Sequence, residues 1–101
     1  MSTLGSNDAI ANLAVKDLAR AKKFYEGTLG LKAIAAEGDE LIVFQSGKSK
    51  LFVYRSKYAG TNKATALSWE VGGEVEALAR ALKTIAWFKD PDGNILSIVS
   101  G

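Results

Sequence analysis

The side chains that most often carry chemistry are scarce in this chain. Its 101 residues include no histidine and no cysteine. Without cysteine there is no thiolate nucleophile, disulfide or thiolate metal site. Without histidine the chain lacks the commonest transition-metal ligand and the commonest base near neutral pH. Carboxylates remain. Asp90 and Asp92 stand two apart in Asp90-Pro91-Asp92-Gly93-Asn94. Such a pair suits acid–base work only if both groups reach one substrate. A turn explains both without chemistry: Pro91 presets φ, Gly93 can take positive φ, and Asp90 can accept from a turn amide. Segment 48–63 mixes Lys48, Lys50, Arg55 and Lys57 with Tyr54 and Tyr58. That composition suits a nucleic-acid patch, but Glu37, Asp39 and Glu40 are close by and the net charge is only +2. A solvated hairpin is the better reading, and no nucleic-acid partner is expected. The nearest thing to a phosphate loop, Ala59-Gly60-Thr61, lacks the glycine density and the lysine.

The elements that must position these residues follow from apolar spacing. With 48% hydrophobic residues, the chain reads as one domain, 1–101, able to bury a core. Residues 1–8 read as a loose polar arm. Residues 9–15 form an apolar strand broken only by Asn12. Asp17 is placed to cap a helix over 18–29, which Gly30 stops. Strands are predicted at 31–36, 41–44 and 51–55, with turns between them and a loop at 57–63. A further strand spans 65–71 and Gly72-Gly73 ends it. The apolar face of Val75, Leu78, Ala79 and Leu82 then predicts a helix over 74–83. The Asp90–Asn94 turn joins strands at 85–88 and 95–99. Phe24 and Tyr25, at helical spacing, belong to the core. No apolar run is long enough to span a bilayer and no signal-peptide pattern opens the chain, so the expectation is a soluble cytoplasmic protein with no membrane partner.

The pattern repeats. Residues 9–56 read β-α-β-β-β, and 64–101 begin the same way. After the second helix only two strands remain, and the passage from Lys83 to Thr84 contains no turn residue. A helix needs a linker before a strand that must return. The expectation is that a stretch holding one further strand is missing at that point.

The opening VKDLARAKKFYEGTLGL (15–31) and the closing AWFKDPDGNILSIV (86–99) together resemble the glyoxalase / bleomycin-resistance / extradiol-dioxygenase superfamily, also called vicinal oxygen chelate. The resemblance covers most of 9–99. It implies an α+β fold in which two βαβββ modules, 9–56 and 64–101, form a cupped eight-stranded mixed sheet. It also implies a homodimer. In metal-using members four strands each supply a histidine, glutamate or glutamine to one divalent ion. The matching positions here are Ile10, seven residues before Asp17, then Tyr54, Ala66, and Ser97, four residues after Gly93. Isoleucine and alanine cannot coordinate, and neutral serine and tyrosine are poor partners for such an ion. No metal and no cofactor is expected.

Alternation along the strands then assigns a cavity face. Asn12 and Ala14 go with Ile10, Phe52 with Tyr54, Ser68 and Glu70 with Ala66, and Ile95 and Val99 with Ser97. Trp87 either joins them or packs in the core. Trp69 alternates away, under a helix. The candidate ligand-binding residues are Asn12, Phe52, Tyr54, Ser68, Trp87 and Ser97, a mostly apolar set with a few polar groups. Glu70 is the one acid on this face and the one candidate general base. Three readings stay open. The first is a metal-free binder of small molecules, like the antibiotic-sequestering branch of the family. The second is a lyase, isomerase or dioxygenase with a non-standard metal site or Glu70 as base. The third is an interaction protein whose interior is filled by side chains.

Overall fold

The computed structural model describes residues 4–82 and 87–100. The first unit starts with β1 (Ala11–Val15) and α1 (Leu18–Lys22). Asp17 caps the helix as its type predicts, Oδ1 accepting from the Arg20 amide at 3.2 Å. The expected single helix over 18–29 is not uniform: a π-helical turn at Lys23–Thr28 continues it. The wider turn leaves two consecutive aromatic rings on the inner side. Tyr25 is buried, Phe24 is half-buried, and the rings meet edge to face with centroids 5.2 Å apart. Gly30 ends the segment at φ 78.

Three strands follow: β2 (Lys32–Glu37), β3 (Leu41–Ser46) and β4 (Ser49–Arg55). The sheet order is β1-β4-β3-β2, with β1 parallel to β4 and the other pairs antiparallel. Alternation puts Leu13, Val15, Ile42, Phe44, Leu51 and Val53 on the face under α1, where all are buried. Each large side chain so buried contributes about 1.5–3 kcal/mol.

The second unit holds β5 (Thr65–Glu70), a 3-10 turn (Gly72–Glu74), α2 (Val75–Ala81), β6 (Trp87–Lys89) and β7 (Ile95–Val99). Its order is β5-β7-β6, with β5 parallel to β7 and β6 antiparallel to it. This matches the first sheet with the counterpart of β2 left out. The described residues therefore form two mixed sheets, of four and three strands, and no continuous eight-stranded sheet. The proposed gap between Lys83 and Thr84, and Ile85 and Ala86 of the expected strand, lie outside the described residues. No described helix is long and apolar enough to cross a membrane.

The Asp90–Asn94 turn ties the units together. Asp90, 5% exposed, accepts from the Tyr25 hydroxyl at 2.7 Å, the Asn94 amide at 2.9 Å and Asn94 Nδ2 at 2.8 Å. Asn94 Nδ2 also donates to the carbonyl of Ala14 at 2.7 Å, and Asp92 Oδ1 accepts from the Lys16 amide at 3.1 Å. Gly60 packs against this turn so closely that a Cβ there would collide with the Asp92 carbonyl oxygen.

Candidate functional site

Parallel pairing of β1 with β4 sets Asn12 opposite Phe52 and Ala14 opposite Tyr54. Residues opposite each other share a face, and this face points away from α1. Antiparallel pairing adds Val43 beside Phe52 and Leu41 beside Tyr54. The face is open: Asn12 and Tyr54 are exposed and Phe52 is half-buried. The Asn12 amide donates back to the Ile10 carbonyl at 3.3 Å.

In the second sheet, Ser68 pairs with Ser97 and Ser97 with Trp87, so the three occupy one row. The two hydroxyl oxygens are 2.6 Å apart. Ser97 is 4% exposed, whereas Trp87 is 62% exposed. Glu70 lies on the same face beside Val99 and is exposed. No hydrogen bond or ion pair among the described residues orients its carboxylate, as a positioned base would require. The six candidate ligand residues thus fall into two groups of three, one on each sheet.

The edges of β1 and β5 border a slot of about 300 Å³, lined by Ile10, Lys50, Leu51, Leu67, Ser68 and Trp69 among others. The Trp69 ring is stacked on Phe88 with centroids 6.3 Å apart. Its indole N–H also donates to Ser46 Oγ at 2.9 Å, a contact that sequence alternation does not reveal. A second apolar hollow of about 300 Å³ lies between α2 and the end of the π turn, walled by Trp69, Leu78, Leu82 and Phe88.

The register also staggers two of the positions matched by the resemblance. Ile10 precedes the first pair, Ala11 with Leu51, so its neighbour on β4 is Lys50. Tyr54 lies four residues further up, opposite Ala14, roughly 13 Å away at ~3.3 Å per residue. Ile10 and Tyr54 therefore do not meet at one point, because two parallel strands keep their stagger. Lys50, rather than Tyr54, lines the slot with Ile10. Among the described residues, no group of three or more histidine, cysteine, aspartate or glutamate side chains converges. This donor set does not fit a divalent ion.

Burial and the Asp90 carboxylate push the Tyr25 hydroxyl far above the ordinary tyrosine range. The group is a neutral donor locked inside the junction. The sequence reading took Asp90 as a turn residue and missed this role. A tyrosine at a core position of a helix is the available signal, since its hydroxyl needs a buried partner.

Comparison with known proteins fits this architecture. The family model described as Glyoxalase/Bleomycin resistance protein/Dioxygenase superfamily matches residues 8–61. A possible glyoxalase from Bacillus cereus superposes with a TM-score of 0.77 at 18% identity, covering 93% of this chain and 98% of that one. The bleomycin-binding protein of Streptomyces verticillus, complexed with copper(II)-bleomycin, gives 0.74 at 17% identity, covering 94% and 96%. Lactoylglutathione lyase from Agrobacterium tumefaciens gives 0.72 at 17% identity, covering 92% of each chain. At these identities the likeness is one of fold. No curated protein matches the sequence.

Proposed function

The chain belongs to the glyoxalase/bleomycin resistance protein/dioxygenase superfamily, and from that premise we propose that it is a small-molecule-binding member whose mostly apolar cavity works without a metal ion. The single observation that carries this reading is the make-up of the faces that would form the cup. Ile10, Asn12, Phe52 and Tyr54 on one side and Ala66, Ser68, Trp87 and Ser97 on the other offer apolar surface and neutral hydrogen-bonding groups, with no cation-binding set. Apolar surface supplies affinity, and a few fixed polar groups supply orientation. Asn12, Tyr54 and the Ser68–Ser97 pair take the second role. In this reading the two sheets act as one cup, in a single domain that lacks the counterpart of β2, and the chain pairs with a second copy as the family likeness implies.

The test is a thermal-shift screen over small apolar and aromatic molecules, because a ligand that binds only the native state raises Tm. The reading expects at least one compound to raise Tm in chelator-treated protein, and the Asn12→Ala or Ser97→Ala variant to reduce the shift. A screen in which no compound raises Tm would favour an interior closed by its own side chains. Light scattering checks the dimer.

A further inference from the structure

Lys50 is the charged group that the family resemblance does not anticipate. It lines the slot at the sheet edges with Ile10, Leu67, Ser68 and Trp69. Most of that wall is apolar, but its hydroxyls are not all spent. Ser49 Oγ donates to the Ser46 carbonyl at 2.7 Å. Ser46 Oγ accepts from the Trp69 indole, which leaves its own hydrogen to give to another acceptor. The ion pairs among the described residues are Arg55–Glu40 and Arg80–Glu76, so the Lys50 ammonium is in neither. The neighbouring outer hollow adds Lys48 and one carboxylate, Asp8, leaving cations in excess.

We infer that this slot selects a compact organic anion, a carboxylate on an apolar or aromatic body. The inference rests on the small-molecule reading above and adds the charge of the ligand. The body lies against Ile10, Leu67 and Trp69. The carboxylate accepts from the Lys50 ammonium at the mouth of the slot, a donor that suits a charged acceptor. The Lys50 ammonium repels a divalent cation and attracts an anion, so the charge that is hostile to a metal defines a ligand class.

The experiment uses phenylacetate and its neutral amide, phenylacetamide, followed by the NMR signal of the Trp69 indole N–H. The acid is expected to bind about tenfold more tightly than the amide, the worth of one partly exposed charge-assisted hydrogen bond. Lys50→Gln is expected to bring the acid down to the amide's affinity and leave the amide unchanged, which also shows that the slot is intact. Equal affinities in the unmodified protein, or a preference that survives Lys50→Gln, overturns the anion assignment while the small-molecule cavity stands. Failure of both probes to move the Trp69 signal overturns the slot itself as a binding site.

Discussion

Under α1, strands β1, β3 and β4 bury six large apolar side chains; under α2, β7 buries two. The consequence is visible in the core. Of the ten buried side chains in its main cluster, Leu96 alone comes from the second unit. Trp69, Phe88 and Leu67 pack only at its margin, and the hollow beside Leu78 and Leu82 remains open. The second unit compensates by leaning on the first, through Phe24 against Phe88, Trp69 to Ser46 and Tyr25 to Asp90. It is the first unit, too, that the family model matches.

Truncation on each side exposes this contrast most strongly. Phe44→Ala removes a fully buried ring from the first unit and is expected to cost about 3–5 kcal/mol in denaturant unfolding. Leu78→Ala, at the open hollow, is expected to cost about 1 kcal/mol, because little packing is lost there. Equal costs would contradict the unequal support of the two helices. The junction is the next largest effect. Gly60→Ala meets the Asp92 carbonyl and must hold φ at +73, so a loss of about 1–3 kcal/mol is expected.

Tyr25→Phe sharpens the comparison by leaving Asp90 short of one donor, a loss of about 1–3 kcal/mol. It also has a pH signature. The hydroxyl's folded pKa is raised above its ordinary 10.0, so the stability it contributes is full below that pH. As pH climbs past 10.0 the unfolded chain sheds the proton first, and stability falls. Unfolding midpoints of the unmodified protein should drop through this range more steeply than those of Tyr25→Phe. Parallel curves would show that the hydroxyl is not held neutral by burial and Asp90. The smallest effect is expected at Glu70, whose exposed carboxylate has no partner among the described residues. Glu70→Gln should change stability by less than about 0.5 kcal/mol and leave ligand-induced Tm shifts unchanged. Loss of those shifts would restore Glu70 as a functional group.

Much of the architecture was legible because local signals agreed with it. Asp17 as cap, Gly30 as stop, the Asp90–Asn94 turn and the repeated β-α order all rest on short-range chemistry. The π turn was not legible, since apolar spacing at Phe24 and Tyr25 fits either helix type. The site was legible only as faces. Alternation groups Asn12 with Ile10 and Ser68 with Glu70 along single strands, but it carries no information on stagger between strands distant in sequence. The Tyr25–Asp90 bond, 65 residues apart, is equally invisible to local pattern.

The central claim is that this cup kept its walls and lost its capacity to hold a cation. Calorimetric titration of chelator-treated protein with zinc, manganese, nickel and iron(II) tests it most directly. The account predicts no saturable site for any of them. One equivalent of a divalent ion bound per chain, with binding weakened by substitution of Tyr54 or Ser97, would contradict it.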